Sequence, residues 1–392
     1  MSKHLSLFML AAVCWLCATA AQAVTTTVET RSTSRPLPNT PTPAHTLRIT
    51  GMFEPGDADA IRRVLVSLKP DARPASSAPF AVAELSSIGG DLIEGFKVGY
   101  LFAEFDVATV VRKGDSCLSA CALAFMGGTS SHLPPARTAS CSLEIGGTLG
   151  FHNFSASTSA LRRKIGSDDG LTSERQGFYM ARAGAALLMQ YAADMGIDQA
   201  FVAQLLARAT ESFDYLTKNG SFLTLRVCPI GLGRPSIGTA EQATNICNHA
   251  TGWLSPVMSS QAWPMTARQA KRSLLEYIQS NMMSFRVKGA LADQLASYSV
   301  MRVDSAIDNL YADLRAAGLP LLEIVGPVFE VSGYQIGIYS MQCMVSLSLE
   351  DPDKYDVAIK GPKGIARAFR SAPAPCGRLF LYDQEAVINP HR

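Results

Sequence analysis

Residues 116–128 read Ser-Cys-Leu-Ser-Ala-Cys-Ala-Leu-Ala-Phe-Met-Gly-Gly, and this stretch predicts both a helix and a reactive position. Ser119 stands at the start of a run of small and apolar residues that is typical of a buried helix. Taken alone, a serine at a helix start is most often an N-cap. The same position also suits a nucleophile, because the free backbone N–H groups of a first helical turn face it.

Two other stretches supply candidate partners for this serine. The sequence Ser-Ile-Gly-Gly at residues 87–90 follows an apolar stretch, 80–85, that predicts a buried strand. The sequence Leu-Gly-Phe-His at 149–152 predicts a strand that ends in His152, one of six histidines in the chain. A glycine turn with backbone donors, a serine at a helix start and a histidine base are the parts that acyl transfer requires.

Strand and helix patterns alternate along the first half of the chain. This alternation predicts an α/β fold with a mostly parallel sheet and crossover helices. The last part has a different pattern, with two helices followed by a β-like stretch at 321–349, and it predicts an α+β region. Gly333 and Tyr334 are the predicted turn of a hairpin there.

Composition divides the chain into five predicted parts. Residues 1–23 have the pattern of a secretory signal peptide, with an apolar run followed by Ala21-Gln22-Ala23. An uncleaved N-terminal anchor is the alternative, and only in that case do we expect membrane association. Export would place the protein in the periplasm or outside the cell. The remaining parts are a flexible tether at 24–45, the α/β domain at 46–227, a linker at 228–264 and the α+β region at 265–392.

Charge and cysteine content narrow the class of protein. The net charge of +2 gives no support for a nucleic-acid partner, and no cysteine or histidine spacing predicts a metal site or another cofactor. Seven cysteines follow the signal segment, so an oxidising compartment predicts disulfides and at least one thiol that is free or pairs between chains.

In wording and order, these segments resemble the ClpP-type serine peptidases of the ClpP/crotonase-like superfamily, over about residues 47–227. The similar segments are Ser-Ile-Gly-Gly-Asp at 87–91, the stretch 116–128 and Gly-Phe-His-Asn at 150–153. The Cys-x-Ser-Ala-Cys and Leu-Gly-Phe-His motifs are more narrowly similar to exported bacterial members of that superfamily. The chain departs from the family pattern at Ile88, where proline is usual, and in an apparent insertion at 133–147.

This resemblance implies a role for each site residue. Ser119 would be the nucleophile and His152 the base, with the backbone N–H groups of Gly90 and Ala120 as the oxyanion hole. The family's third member is an aspartate that follows the histidine by about two helices. Asp214 is the nearest match here.

Three alternatives to this assignment stay open at the level of sequence. Glu211 is the second candidate for the acid. Lys97 could suggest a Ser-Lys dyad, although a solvated lysine is favoured on the helix that follows the glycine turn. A solvated loop carboxylate is the simplest alternative for Asp214.

Cys117 and Cys121 flank Ser119 in the sequence. A disulfide that holds the nucleophile turn is the favoured interpretation, against a thiol nucleophile or a simple buried cysteine. Pairing of Cys121 with Cys141 is the alternative bridge.

Two functions follow from the sequence. The first is an exported serine hydrolase, a peptidase acting on peptide or protein substrates without a cofactor. The second is a ClpP-like fold kept as a non-catalytic binding or assembly module. An acyl-CoA enzyme ranks third, because export would remove the protein from coenzyme A. The resemblance also implies homo-oligomeric rings as one form of assembly.

Overall fold

The computed structural model describes residues 23–30, 43, 45–68, 79–130, 138–153, 173–208, 212–251, 261–298, 303–336, 339–361, 367–369 and 376–391. Apart from residue 23, the predicted signal segment lies outside these ranges. The predicted tether lies partly inside them, and there the structure differs from the prediction. Thr25–Thr30 forms strand β1, which pairs antiparallel with His45–Thr50, strand β2.

Six strands form the larger sheet, in the order β1-β2-β3-β4-β8-β11. Strands β2 to β11 of this sheet are parallel to one another, and only β1 is antiparallel. Helix α1, Asp57–Leu68, follows β2, and helix α2, Leu92–Phe105, follows β3. The predicted mixed α/β fold with a parallel sheet is therefore confirmed. The other strand bounds are β3 Ala81–Ser86, β4 Val107–Val111, β8 Cys141–Glu144 and β11 Val227–Ile230.

A smaller, three-stranded sheet contains the strands that precede Ser119 and His152. It has the order β10-β9-β5, with β5 at Ser116–Leu118, β9 at Thr148–Phe151 and β10 at Asp214–Tyr215. Strands β5 and β9 are parallel, so their carboxyl ends meet at one edge of the sheet. Short helix α3, Ala120–Phe125, follows β5 and is fully buried.

The α/β domain also contains a short strand pair and further helices. Strands β6, Thr129–Ser130, and β7, Thr138–Ala139, form a two-stranded pair. In the ranges that the structure describes, three helices lie between β9 and β11, and they are α4 Ser173–Met195, α5 Gln199–Ala207 and α6 Asn219–Leu225. Tyr191 of α4 is buried and donates a hydrogen bond of 2.7 Å to the carbonyl oxygen of Leu123. This contact fixes α4 against the buried helix α3.

The predicted linker at 228–264 contains ordered elements. Its first residues belong to β11, and helix α7 spans Thr239–Thr251. Ala243, Ile246 and Cys247 of α7 are buried against the C-terminal sheet, and Cys247 forms a disulfide with Cys343. Polar and glycine-rich composition suggested a linker, but one face of α7 is apolar enough to enter a core.

The C-terminal half is an antiparallel sheet with helices, in the order β12-β13-β14-β15-β16. Gly333 and Tyr334 do not form the predicted turn, because both lie inside strand β13. They stand at a shift in the register between β13 and β14, where Gly333 has φ +106°. A glycine inside a strand pattern is typical of such a bulge. The bounds are β12 Gln261–Met265, α8 Ala267–Ser280, α9 Met282–Phe285, α10 Ala290–Ala296, α11 Asp304–Ala316, β13 Val328–Ile336, β14 Tyr339–Leu347, β15 Tyr355–Lys360 and β16 Arg367–Phe369.

Residues 376–391, which we name the return segment, pack against the α/β domain and not only against the C-terminal sheet. The segment begins at Cys376, which is bonded to Cys228 of β11, and includes a 3-10 helix, Gly377–Leu381. Leu379 and Ile388 are buried in the main core. The predicted region 265–392 therefore ends in residues that pack on both cores, since Leu381 is buried in the C-terminal cluster. In the ranges that the structure describes, no helix has the length and apolarity to cross a membrane.

Candidate active site

Ser119 connects strand β5 to helix α3 in an unusual backbone conformation. Its φ is +56° and its ψ is −123°, a region that residues other than glycine rarely occupy and that costs about 1–3 kcal/mol. The Ser119 N–H donates to the carbonyl oxygen of Gly150 at 3.0 Å. The side chain makes no cap hydrogen bond to α3, although Ser119 occupies the N-cap position. Its hydroxyl is therefore directed away from the helix.

The hydroxyl of Ser119 contacts the ring of His152. Nε2 of His152 lies 2.6 Å from Oγ of Ser119, within the range expected of a base and its nucleophile. Strand pairing produces this distance, because Leu118 lies opposite Gly150 in the parallel β5–β9 pair. Ser119 and His152 thus follow two neighbouring strand ends. In the tautomer that suits catalysis, Nε2 is unprotonated and accepts the hydroxyl proton.

The glycine turn after β3 lies directly against the serine. A Cβ atom on Gly89 would lie 2.6 Å from Cβ of Ser119 and 2.8 Å from the carbonyl oxygen of Leu118. Gly89 and Gly90 also have φ of +107° and +130°. The carbonyl oxygen of Phe53 accepts a hydrogen bond from Asp91, and the Phe53 N–H donates to Gly89, both at 2.8 Å. Only glycine fits this approach, so the turn is shaped around the Ser119 backbone.

Two backbone donors are available beside this turn. Within the described part of the chain, neither the Gly90 N–H nor the Ala120 N–H has an acceptor. Ala120 is the first residue of α3, where a helix leaves its N–H groups without internal partners. Unpaired donors near a serine hydroxyl suit an oxyanion, which is the role that the family resemblance implies for them.

A disulfide joins the residues on either side of Ser119. The Sγ atoms of Cys117 and Cys121 lie 1.99 Å apart, with Ser119 midway between the two residues in sequence. Both sulfur atoms are used in this bond, so neither is available as a thiol nucleophile. Cys141 is unpaired and buried, and the alternative bridge to Cys121 is not formed. Burial raises the pKa of the Cys141 thiol to about 11.

Alkylation under non-reducing conditions is expected to separate these cysteines. In the folded protein Cys141 should stay unmodified at neutral pH, because it is buried and protonated. After unfolding without reductant, Cys141 should react while Cys117 and Cys121 stay blocked. Peptide mass mapping provides the measurement. Full alkylation of Cys117 and Cys121 without reductant would refute the bridge, and a peptide linking Cys121 to Cys141 would favour the alternative.

Asp214 is not brought to His152. In the antiparallel β9–β10 pair, Asp214 lies opposite Phe151, and opposed residues share one face of a sheet. Its carboxylate lies 3.2 Å from Nη2 of Arg208 and, with Phe151, lines a cavity of about 720 Å³. Phe213 contacts the imidazole in its place, with ring centroids 4.6 Å apart. Among the described residues, no contact between Asp214 and His152 supports the role predicted for Asp214, and Glu211, the second candidate, lies outside those residues.

Lys97 has its own partner. Its Nζ lies 2.6 Å from Oε1 of Glu94, and the other carboxylate oxygen of Glu94 accepts the N–H of Ala58 at 3.0 Å. The hydrogen bond to Glu94 raises the pKa of Lys97, which keeps the ammonium protonated. A base must be unprotonated, so this environment disfavours a Ser-Lys dyad.

Sequence reasoning missed an aromatic row beside His152. Phe213, immediately before β10, and Tyr215 in β10 stack with ring centroids 5.6 Å apart, and the ring centroid of His391 lies 3.9 Å from that of Tyr215. A Cβ atom on Gly150 would lie 3.0 Å from the Tyr215 ring, so this glycine makes room for it. Alternation of Phe213 and Tyr215 around Asp214 was visible in the sequence. Nothing local indicated that a residue near position 390 would join them.

Comparison with other proteins gives similarities of structure only. No protein-family model matches the chain, and a search of curated proteins found no match. The chain is similar to an asparagine-to-aspartate mutant of ClpP1 from Listeria monocytogenes, with 13% identity, a TM-score of 0.32 and coverage of 47% of this chain and 90% of that chain. It is also similar to a serine-to-alanine mutant of the 1510-N membrane-bound stomatin-specific protease, with 14% identity, a TM-score of 0.26 and coverage of 41% and 67%. The chemistry of this chain therefore rests on its own residues.

Proposed function

We propose that the protein is an exported serine hydrolase that cleaves peptide bonds. The observation that carries the proposal is the 2.6 Å contact between Oγ of Ser119 and Nε2 of His152. The strained backbone conformation of Ser119 supports the proposal, because backbone strain in folded proteins is concentrated at functional sites. The resemblance of the same segments to ClpP-type peptidases selects peptide bonds as the substrate class.

Each step of the reaction has a residue for it. Oγ of Ser119 attacks the peptide carbonyl carbon while its proton passes to Nε2 of His152. The N–H groups of Gly90 and Ala120 stabilise the oxyanion of the tetrahedral intermediate. Collapse breaks the C–N bond, and the proton on His152 moves to the leaving amine. Water, deprotonated by His152, then hydrolyses the ester on Ser119 and releases the acid product.

Export is supported by cysteine pairing. Three pairs of cysteines lie at disulfide distance, which fits an oxidising compartment. The apolar run and Ala21-Gln22-Ala23 support a cleaved signal peptide. The proposed location is the periplasm or the extracellular space.

Hydrolysis of a fluorogenic peptide library tests the proposed function. We expect wild type to cleave members of the library and Ser119→Ala to be inactive with an unchanged circular dichroism spectrum. Ser116→Ala is the matched control, because Ser116 lies on the same strand but precedes the turn, and it should retain activity. A wild type that cleaves no peptide and no activated ester would favour the binding-module function, which the pairing of Asp214 with Arg208 also favours.

Two carboxylate variants test how His152 is oriented. Asp214→Asn is expected to change kcat/KM by less than about tenfold, because this carboxylate faces Arg208 and not the imidazole. Glu211→Gln is expected to lower kcat by about 100-fold or more if Glu211 holds the catalytic tautomer. Steady-state kinetics measure both values. A large loss in Asp214→Asn alone would restore the original assignment of the acid.

A further inference from the structure

The return segment, residues 376–391, contacts the strand pair that carries His152. The N–H groups of Ile388 and Asn389 both donate to the carbonyl oxygen of Thr217, at 2.9 and 3.1 Å. Thr217 lies two residues beyond β10. The segment is also held at its start by the disulfide between Cys228 and Cys376. It is therefore a fixed part of the α/β domain at the edge of the candidate site.

The side chain of Asn389 uses both ends of its amide at this edge. Its Oδ1 accepts the N–H of Gly146 at 2.9 Å, and its Nδ2 donates to the carbonyl oxygens of Gly147 at 3.0 Å and Leu216 at 3.3 Å. Asn389 is only 4% exposed. At this buried position the amide provides hydrogen-bond partners for three backbone groups and links those groups to one another.

The groups that Asn389 joins come immediately before and beside the catalytic strand. Gly146 and Gly147 form the turn that enters β9, and Gly146 has φ +93°. Two consecutive glycines are conformationally permissive, so the turn needs outside contacts to hold one geometry. Leu216 pairs with the same strand from the other side, since its N–H donates to the carbonyl oxygen of Leu149 at 2.9 Å. The strand ends at Phe151, one residue before His152.

We propose that Asn389 is a positioning residue for His152. By fixing the Gly146-Gly147 turn to the end of β10, it fixes the position of β9 and therefore the position of the His152 imidazole opposite Ser119. This inference rests on the proposed function, because it assigns a catalytic purpose to that placement. A second connection runs in parallel, through the contact of His391 with Tyr215 and of Phe213 with His152. A displacement of about 1 Å at a reacting group can lower a rate by about 100-fold.

Asn219 provides a matched control. It is fully buried, and its Nδ2 donates to the carbonyl oxygens of Leu379 and Tyr382, at 3.0 and 3.1 Å. It therefore fastens the same return segment with two side-chain donor bonds, as Asn389 does. Neither bond reaches the turn before β9. Asn219→Ala and Asn389→Ala should thus weaken the docking of the segment alike, and only Asn389→Ala should disturb His152.

The experiment compares the two variants of the full chain by thermal melting, by the rate of labelling with a fluorophosphonate probe and by hydrogen exchange of peptides covering residues 146–153. We expect similar losses in Tm. Asn389→Ala should label about tenfold more slowly or worse, with faster exchange at 146–153, while Asn219→Ala labels and exchanges there like wild type. If Asn389→Ala does not fold, Asn389→Ser replaces it, since its hydroxyl keeps a neutral polar group at the site but is too short to join the three backbone groups.

Labelling of Asn389→Ala at the wild-type rate would overturn the inference, and so would an equal loss of labelling in Asn219→Ala. Failure of the proposed function has a different signature, which is a wild type that does not label at all. In that case hydrogen exchange decides alone. Loss of protection at 146–153 in Asn389→Ala only would support the positioning of β9, and equal exchange in both variants would contradict it.

Discussion

His152→Ala is expected to slow peptide hydrolysis by at least about 100-fold and by up to about 10⁴-fold, the range that general base catalysis contributes. The physical reason is the 2.6 Å contact of Nε2 with Oγ of Ser119, which is the proposed route by which the hydroxyl proton leaves. Removal of the imidazole leaves a weak nucleophile beside intact backbone donors. The loss should appear in kcat more than in KM, because proton transfer occurs after the substrate binds.

His45→Ala is the control for this variant. His45 lies at the start of β2, and its ring packs edge-on against Phe80 with centroids 5.7 Å apart. Its removal changes an imidazole that does not take part in the proposed reaction, so activity should stay near wild type. Steady-state kinetics over a range of substrate concentrations give both constants. Undiminished activity in His152→Ala would exclude His152 as the base.

Gly89→Ala is expected to abolish measurable hydrolysis through the position of Ser119. Its new Cβ would lie 2.6 Å from Cβ of Ser119 and 2.8 Å from the carbonyl oxygen of Leu118, both closer than folded proteins allow. One of the two backbones must move, and the serine turn is the one that carries the nucleophile. A shift of about 1 Å there corresponds to about 100-fold in rate.

The control variant Gly56→Ala separates the effect of this clash from the effect of backbone strain. Gly56 has φ +105°, close to the +107° of Gly89, but a Cβ atom there meets nothing within 4 Å. Both variants therefore carry a conformational cost of about 1–3 kcal/mol. Thermal melting reports that shared loss, and kinetics report the difference between the variants. Equal activity in the two variants would show that the glycine turn does not support Ser119.

Local patterns were enough to single out Ser119 and His152, the two side chains that the structure brings into contact. Ser119 and His152 each follow a short strand, and the apolar periods around them are visible within a few residues. Parallel pairing of β5 and β9 then brings the two side chains together without further information. The glycine turn was readable for the same reason, because a close backbone approach needs glycine at that point.

The acid of the proposed triad stays a prediction, because its assignment depends on which residue near β10 faces His152. Strand faces alternate with a period of two, so an offset of one residue moves a side chain to the other face. That offset separates Asp214, which faces Arg208, from Phe213, which contacts His152.

The return segment could not be predicted because its contacts are long-range. Cys228 and Cys376 are 148 residues apart, and the bonds of Asn389 to Gly146 and Gly147 join positions more than 240 residues apart. Periodicity in a short window carries no information about such pairs. The polar composition of 228–264 was misleading in a different way. It indicated a linker, although the segment contains helix α7 and Cys247, which is bonded to Cys343.

Reaction with a fluorophosphonate followed by peptide mass mapping tests the central claim, that His152 activates Ser119, most directly. We expect one adduct on the peptide that contains Ser119, absent after unfolding of the protein before the probe is added and strongly reduced in His152→Ala. Ser116, on the same peptide, is distinguished by fragmentation. A wild type that stays unlabelled across a broad pH range, or an adduct on a residue other than Ser119, would contradict the account.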